Sequence, residues 1–259
     1  MKLPFYQIDA FTSSVFSGNP AGVCLLDSWL DDSTLLAIAA ENNLSETAFL
    51  VRGQAGYELR WFTPATEVDL CGHATLATAF VVFTYLDPGN DTVRFETTSG
   101  VLTVRRAGDL LAMDFPSRRA VPCPVPDELI RGLGIEPREV LLARDYLAVY
   151  DSEEQIKSLR PDMLELSRLD CLGIIVTAPG SECDFVSRFF APRVGIPEDP
   201  VTGSSHCTLI PYWAERTGKS ELHARQLSER GGELFCIDLG DRVSIAGRAV
   251  TYLEGTVIV

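Results

Sequence analysis

A short motif occurs twice in the chain, once in each half, and this repeat limits the folds that the sequence can adopt. The first copy reads Arg60-Trp61-Phe62-Thr63-Pro64, then Asp69, then Gly72-His73. The second reads Arg188-Phe189-Phe190-Ala191-Pro192, then Asp199, then Gly203-Ser204. The offset is 128 residues at the arginine, 130 at the aspartate and 131 at the glycine. A period near half the chain length predicts two copies of one structural unit.

In each copy a strand-like run leads through a loop to a glycine that begins a helix. The N-terminus of a helix is suited to binding an anion, because its first backbone N–H groups have no partner within the helix. Two such helix starts, facing each other across a cleft, would bind one small acid. The repeat therefore predicts an anion site shared by the two halves.

Composition excludes several classes of partner. The net charge of −14 over 259 residues argues against nucleic acid and against anionic membranes. The longest apolar stretch, from Ala74 to Leu86, is shorter than the roughly 20 residues of a membrane span, and no secretory signal pattern is visible at the amino terminus. Seven cysteines without CxxC spacing are typical of reduced thiols in a cytoplasmic protein, and three histidines argue against a histidine-rich metal site.

The order of elements predicts the α+β class. Both halves show strands around one nearly all-apolar helix, over 73–86 in the first half and from Ser204 or Ser205 to Thr217 in the second. Pro211 is expected to kink the second helix. Four prolines between 116 and 126 indicate a linker, so we expect domains at 1–116 and 117–249.

Glu46 is the first candidate for chemistry, since it lies where a predicted helix meets an apolar strand. Partial burial in a cleft would raise its pKa and let it transfer protons near neutral pH. A solvated loop glutamate or a cap is the alternative, and from the residues alone it is favoured. His73 lies in the first turn of a helix, whose positive end would lower its pKa and favour a neutral imidazole. A histidine that only packs and caps is equally compatible with the pattern.

Cys71 offers a thiol at the same helix start, where a thiolate is stabilised. Two-thiol proton exchange would need a second cysteine at the matching position, which holds Thr202; Cys207 lies about one helical turn further on. The pattern favours a small buried residue at Cys71. The segment from Asp199 to Ser205 suits a carboxylate ligand, or else is a loop with an ordinary N-cap serine. GxGxxG, GxxxxGK[ST] and GxSxG motifs are absent.

Several segments together resemble the phenazine-biosynthesis (PhzF-like) isomerases, relatives of diaminopimelate epimerase. The matching segments are Asp9-Ala10-Phe11-Thr12, Gly18-Asn19-Pro20-Ala21, Leu44-Ser45-Glu46-Thr47, Leu70-Cys71-Gly72-His73-Ala74-Thr75, Asp199-Pro200-Val201-Thr202-Gly203-Ser204, and 226–233. The resemblance spans essentially the whole chain. It implies two pseudo-symmetric α+β domains, each a curved, mainly antiparallel sheet wrapped on a central helix, with the active site between them. It also implies that the last strand, 250–259, returns to the first domain.

The same resemblance assigns roles to individual residues. It makes Glu46 the proton-transferring acid/base, reversing the preference from the residues alone, and makes His73 and Asp199 its assistants. It assigns carboxylate binding to four further residues: Ser45, Gly72, Gly203 and Ser204. Because Thr202 replaces the second cysteine of the epimerases, the chain is predicted to be a carboxylate-based isomerase of a small carboxylic acid, without cofactor or metal.

Two other functions stay open at this point. One is a racemase or epimerase that uses Cys71, and the other is a protein that binds small acids without turnover. Two-fold dimers are the commonest assembly of soluble proteins, so a homodimer is expected.

Overall fold

The computed structural model describes residues 1–54 and 56–259. The chain forms two compact units, the first made of Met1–Asp114 with Ala246–Val259 and the second of Phe115–Ile245. The boundaries expected from the sequence were 116/117 and 249/250. The carboxyl-terminal segment belongs to the first unit because its last strand pairs antiparallel with the first strand, from Lys2 opposite Ile258 to Ala10 opposite Ala249.

The first unit contains nine strands and two helices among the described residues. They are β1 (Lys2–Ala10), β2 (Asn19–Leu26), α1 (Asp32–Asn42), β3 (Glu46–Arg52), β4 (Tyr57–Phe62), β5 (Glu67–Val68), α2 (Gly72–Val81), β6 (Thr92–Thr97), β7 (Gly100–Ala107), β8 (Leu110–Pro116) and, after the second unit, β17 (Ala249–Ile258). Helix α2 continues into a wider π turn, Val82–Leu86. Strand β8 runs two residues past the unit boundary.

The second unit holds the remaining elements. They are β9 (Val121–Pro122), α3 (Asp127–Leu133), β10 (Glu139–Leu142), β11 (Tyr146–Val149), α4 (Glu153–Ser158), α5 (Met163–Leu166), β12 (Ile174–Pro179), β13 (Phe185–Phe190), a 3₁₀ turn (Pro192–Val194), α6 (Gly203–Thr217), β14 (Glu221–Gln226), β15 (Gly232–Asp238) and β16 (Arg242–Gly247). The short elements β5, β9 and α5 were not predicted from the sequence. They have two to four residues each, too few to show a hydrophobic period.

Seven strands of each unit follow the same order. In the first, the sheet runs β17-β1-β2-β3-β4-β6-β7-β8, and the pairs β2–β3 and β4–β6 are parallel. In the second it runs β9-β10-β11-β12-β13-β14-β15, and the pairs β11–β12 and β13–β14 are parallel. All other pairs named here are antiparallel. The duplication read from the sequence is therefore a duplication of topology.

The arginine of each repeat makes the same interactions. Arg60 forms a two-bond ion pair with Glu67 at 2.7 Å for both bonds, and Arg188 forms one with Glu198 at 2.7 and 2.9 Å. Each guanidinium also lies over the second aromatic residue that follows it, about 5 Å from the ring centre. The repeat thus marks an arginine–glutamate clamp that joins β4 to β5 in the first unit and joins β13 to the segment before α6 in the second.

This clamp corrects the alignment of the repeat by one residue. Glu67 and Glu198 are 131 positions apart, the same offset as the glycines that begin α2 and α6. With no gap between these two points, the counterpart of Asp199 is Val68 and not Asp69. The pairing of Asp69 with Asp199 is therefore wrong, because all three residues of the difference in loop length lie before the glutamate and none lies between the aspartate and the glycine.

Helix α2 is enclosed by other elements, as its composition predicted. Eight of its ten residues are buried, including His73 and Ala74 at its start. In β3 every residue from Thr47 to Val51 is buried, so both faces of this strand are covered. Phe49 and Val51 pack with α1 on one face, and by alternation Ala48 and Leu50 point to the other. Among the described residues no helix has the length and apolar composition needed to cross a membrane.

Candidate active site

Local structure fixes the position of Glu46 at the entrance to β3. Helix α1 begins at the N-cap Asp31, whose side chain accepts a hydrogen bond from the Thr34 N–H, and ends at Asn43 in the left-handed conformation (φ 49°). This reversal turns the chain through Leu44 and Ser45 into β3, where Glu46 is the first residue. Parallel pairing sets Glu46 opposite Ala21, two residues after Asn19 in β2. The acid is therefore held by strand backbone and not by a free loop.

His73 connects three side chains at the start of α2. Its Nε2 lies 3.0 Å from Oε2 of Glu46. Its Nδ1 lies 3.2 Å from Nδ2 of Asn19 and 3.5 Å from Sγ of Cys71. The side chains of Glu46 and His73 are only 12% and 7% exposed. The structure thus brings Glu46 and His73 together in one largely buried acid–base pair.

The electrostatics of this pair reverse both pKa expectations drawn from the sequence. Burial does raise the pKa of Glu46, but His73, by its charge and its hydrogen bond, lowers it below the ordinary glutamate value. Burial lowers the pKa of His73, but Cys71 and Glu46 raise it well above the ordinary histidine value. The expectations failed because each residue was considered alone, and an opposite charge at 3.0 Å outweighs desolvation here. Both shifts favour an ionised Glu46 beside a protonated His73.

Cys71 is buried and behaves as a neutral thiol in this site. Burial, together with the negative charge of Glu46, raises its pKa to about 11, although His73 acts in the opposite direction. The helix start therefore does not produce a thiolate at neutral pH. Its sulfur contacts both members of the acid–base pair, since it also hydrogen-bonds with Glu46.

Helices α2 and α6 begin without a side-chain cap. The N-cap residues, Cys71 and Thr202, make no capping hydrogen bond, whereas Asp31, Ser152 and Asp162 cap α1, α4 and α5. Gly72 and Gly203 are the first helical residues. Because the N–H groups of the first turn have no intrahelical acceptor, an uncapped start is open to an anionic ligand.

Asp199 belongs to a hydrogen-bond network that shapes the start of α6. Its Oδ2 accepts the Thr202 hydroxyl at 2.5 Å. Gln226, completely buried, donates to the carbonyl of Asp199 at 2.7 Å and accepts the backbone N–H of Thr202 at 2.9 Å. These bonds hold the 199–202 turn from the end of β14. Gln226 had been noted in the sequence only as part of a family-like segment.

Ser204, the second residue of α6, contacts an arginine that the sequence did not single out. Nη2 of Arg144 donates to the Ser204 hydroxyl at 3.0 Å and to Oδ2 of Asp145 at 3.1 Å. Asp145 is buried while Arg144 is about one-third exposed. Both lie between β10 and β11. Their only distinguishing feature in the sequence is that they are two charged residues at the end of an apolar run. Asn19 was named from the sequence only as part of the family-like segment Gly18-Asn19-Pro20-Ala21.

The candidate residues are divided between the units. Glu46, His73 and Gly72 lie in the first unit, together with Ser45, which is half-buried and directly precedes β3. Asp199, Gly203 and Ser204 lie in the second unit.

One cluster among the described residues combines three metal-binding types of side chain, namely Glu46, Cys71 and His73. One donor atom from each lies within 4.8 Å of the others. However, the imidazole stands between its neighbours with Nδ1 towards Cys71 and Nε2 towards Glu46. A metal ion binds a histidine through one ring nitrogen, so this orientation fits proton relay better than chelation.

The second unit has no acid at the position equivalent to Glu46. Thr47 pairs with Phe62 and Ile174 with Phe190, so the equivalent of Glu46 is Gly173. A Cβ atom on Gly173 would lie 2.2 Å from the ring of Phe189. The aromatic ring of the repeat thus fills the space that an acidic side chain would need.

Together, the duplicated α+β fold and the buried carboxylate–imidazole pair define the class of protein. A family profile described as phenazine biosynthesis-like protein matches residues 8–255. An uncharacterized isomerase of Pseudomonas aeruginosa is 56% identical over 99% of both chains, and a human phenazine biosynthesis-like domain-containing protein is 41% identical over 99% of both. The crystal structure of a PhzF-family protein of Enterococcus faecalis matches with a TM-score of 0.98 at 45% identity over the full length of both chains.

The chain belongs to the phenazine biosynthesis-like (PhzF) family and is an isomerase. A hydroxyproline epimerase of Agrobacterium vitis shares the fold with a TM-score of 0.64, at 10% identity. These likenesses confirm the predicted family and the predicted α+β, diaminopimelate epimerase-like fold.

Proposed function

We propose that the protein moves a proton on a small carboxylic acid with an acidic C–H bond, and that Glu46 is the acid/base that carries the proton. The observation that supports this most directly is the buried contact between Glu46 and His73 at 3.0 Å. A buried carboxylate would ordinarily be protonated. His73 keeps it ionised, so it can accept a proton.

The reaction begins with transfer of the substrate proton to a carboxylate oxygen of Glu46. The electron pair of the broken C–H bond remains on the substrate, and Glu46 then returns the proton to a different carbon. The imidazolium of His73, with its Nε2 3.0 Å from the carboxylate, keeps its own protons throughout. Its charge stabilises ionised Glu46 before the substrate proton arrives and again after that proton is returned. No redox step occurs, so neither a nucleotide nor a metal is part of the proposal.

The uncapped starts of α2 and α6 stabilise the negative charge of the substrate. Backbone N–H groups at Gly72 and Gly203, with the Ser204 hydroxyl, can donate to a carboxylate or to the enolate that forms when the proton leaves. Asp199 positions the turn that precedes α6, and Ser45 flanks the acid.

The test is proton exchange with the solvent. Small carboxylic acids are first screened for binding by thermal shift, and the hits are incubated with the protein in D2O and followed by mass spectrometry. We expect deuterium incorporation with the wild type and loss of at least about a hundredfold in Glu46→Gln, the usual size of a general-base contribution. Glu41→Gln is the matched control, since Glu41 is an exposed acid near the end of α1. Wild-type exchange by Glu46→Gln would remove Glu46 from the mechanism.

The contact of Cys71 with His73 favours one alternative, a racemase or epimerase in which Cys71 carries the proton. A serine hydroxyl is a far weaker acid than a thiol, so Cys71→Ser separates the two mechanisms. Under our proposal this variant keeps most of its exchange activity. Loss of exchange in Cys71→Ser with exchange retained in Glu46→Gln would establish the thiol mechanism instead. Binding without exchange in the wild type would indicate a protein that only binds small acids.

We also propose that the protein is a cytoplasmic homodimer. All seven cysteines are free thiols, which is usual in a reducing compartment, and two-fold dimers are the commonest assembly. Light scattering after size exclusion measures the mass directly; a monomer mass of 28.4 kDa would contradict the dimer.

A further inference from the structure

Helices α2 and α6 differ in the partner of their second residue. The glycines that begin the two helices correspond, so His73 in the first unit corresponds to Ser204 in the second. His73 lies 3.0 Å from an acid, Glu46. The Ser204 hydroxyl instead accepts a hydrogen bond from a base, Arg144, at 3.0 Å. The first unit therefore has a carboxylate at its helix start, and the second has a guanidinium.

Arg144 is held there by an acid that the first unit lacks at the same place. In the first unit Ala21 is opposite Glu46. Continuing the register of β11 and β12 by one residue places Asp145 opposite Gly173 in the second. An acid thus replaces an alanine at this position. Asp145 is only 1% exposed, and because a buried carboxylate needs a partner, the pair fixes Arg144 at this point.

The guanidinium of Arg144 has donors that these bonds do not use. Nε and Nη2 donate to Oδ2 of Asp145 at 3.3 and 3.1 Å, and Nη2 also donates to Ser204. An arginine has five N–H groups, and two of them are on Nη1. Among the described residues none accepts a hydrogen bond from Nη1. Because the side chain is about one-third exposed, Nη1 is open to a ligand.

The bond from Arg144 also determines what the Ser204 hydroxyl can do. Arginine only donates, so the hydroxyl oxygen accepts this bond and its own hydrogen remains to be donated. No described side chain or carbonyl accepts that hydrogen. The Ser204 hydroxyl and Nη1 of Arg144 are therefore neighbouring donors at the start of α6, where no side chain caps the helix.

The charges around this helix start favour an anion. Burial raises the pKa of Asp145 and of Cys207. Arg144 and Arg118 both act against this rise, so two positive charges lie close to the first turns of α6. The carboxylate of Asp145 balances one of them. Since the whole chain carries −14, a local positive group is what a small acid needs in order to bind.

Two other polar side chains at this helix start cannot supply that positive charge. His206 is completely buried, with Nδ1 2.8 Å from the carbonyl of Thr202, and burial lowers its pKa to about 4, so it is neutral near pH 7. Asp199 is itself an acid, and its Oδ2 accepts the Thr202 hydroxyl at 2.5 Å. Arg144 is the cation that bonds to a side chain in the first turn of α6.

We propose that Arg144 binds the carboxylate of the substrate, together with the Ser204 hydroxyl, and that Asp145 is the positioning residue that orients the guanidinium. This rests on the proposed function, in which the start of α6 stabilises the negative charge of a small acid. Hydrogen bonds between an arginine and a carboxylate are charge-assisted and strong. The protein therefore selects ionised acids and rejects their neutral amides.

Propionate and propionamide test this selection, because they have nearly the same size and only propionate is charged. Their dissociation constants are measured by chemical-shift titration of ¹⁵N-labelled protein. In Arg144→Gln we expect propionate to bind at least about tenfold more weakly, since hydrogen bonds to charged groups contribute more than neutral ones. Propionamide should bind as it does to the wild type. Arg144→Lys keeps the positive charge and should recover part of the lost affinity for propionate.

Arg138→Gln is the matched control. Arg138 is an exposed arginine of the same unit that also pairs with an aspartate, Asp151, at 3.2 Å, so its loss changes the net charge equally. It should leave both dissociation constants unchanged. The proposal is overturned if the wild type does not bind propionate or if Arg144→Gln binds it normally. It is also overturned if Arg144→Gln weakens propionamide equally, or if Arg138→Gln weakens propionate equally.

The wild-type protein provides a test that does not depend on a variant folding. Propionate should shift the side-chain Nε–H signal of Arg144 and leave that of Arg138 in place. An Arg144 signal that does not respond to propionate would refute the role.

The exchange assay distinguishes this proposal from the proposed function. If Glu46→Gln retains exchange while Arg144→Gln loses propionate binding, Glu46 leaves the mechanism and the role of Arg144 stands. If Glu46→Gln loses exchange while Arg144→Gln binds propionate normally, the proposed function stands and the role of Arg144 fails.

Discussion

His206 should make the protein lose stability as the pH falls below neutrality, and the structure gives the size of this effect. The ring lies in the first turns of α6 and is completely buried. Its pKa in the folded protein is about 4, against an ordinary value of 6.5, and desolvation is the main cause. The unfolded chain therefore binds a proton at His206 between pH 6.5 and pH 4, and the folded chain does not.

The sign and magnitude follow from proton linkage. Because the unfolded state binds one more proton within this window, stability rises with pH there and is lost as the pH falls. A difference of about 2.5 units, at about 1.36 kcal/mol per unit, corresponds to about 3 kcal/mol of unfolding free energy. No discount for solvent screening applies, since the ring is inaccessible to water. Above pH 7 both states are neutral at this residue and the effect vanishes.

The comparison that isolates His206 uses His206→Asn, whose amide N–H can still donate to the Thr202 carbonyl but does not titrate. Urea unfolding of both proteins is measured at steps from pH 7.5 to pH 4.5. The smaller asparagine leaves a cavity, which lowers the unfolding free energy of the variant by the same amount at every pH. The difference in unfolding free energy between the two proteins should therefore become about 2.5 kcal/mol smaller at pH 4.5 than at pH 7.5. His223→Asn reports the effect of removing a more exposed histidine. A gap that stays constant over this range would refute the argument.

Three further substitutions test the architecture by chemical denaturation. Gly173→Ala places a Cβ atom against the Phe189 ring and should lower the free energy of unfolding by about 1–3 kcal/mol. Adding Phe189→Leu should recover part of this loss. If the losses of the two single variants simply add in the double variant, the steric explanation is contradicted. Arg188→Lys should cost more than Arg60→Lys, because Arg188 is the less exposed and also donates to two backbone carbonyls. Ser152→Ala removes a capping box and should cost about 1 kcal/mol; an unchanged midpoint would show that this cap contributes little.

The sequence predicted the features that depend on local patterns. The glycines at 72 and 203, each after an extended run, marked the starts of α2 and α6, and the apolar composition of 73–86 predicted an enclosed helix. Such features depend only on the periodicity of hydrophobic residues along the segment and on the conformational preferences of glycine.

Features that depend on long-range pairing were missed or wrong. Glu46 and His73 are 27 residues apart, and only the position of β3 beside α2 makes them a pair. Without knowledge of that pairing, burial was the only known influence on the pKa of Glu46. The predicted direction of its pKa shift was therefore wrong. Asn19 was missed for the same reason, since Gly18-Asn19-Pro20 predicts a turn whether or not the amide meets a histidine 54 residues away.

The difference between the two units explains why the Glu46–His73 pair has no counterpart at the matching position of the second unit. Both units keep an uncapped helix start with a glycine as first residue, so both keep the feature that suits an anion. At the strand position that matches Glu46 the second unit has Gly173, and Phe189 occupies the space there. Its acid at the helix start, Asp199, comes instead from the preceding turn. Gly173 and Thr202 give the second unit neither a carboxylate nor a thiol at the positions of Glu46 and Cys71. The proposed reaction therefore uses one base, Glu46, both to remove the proton and to return it.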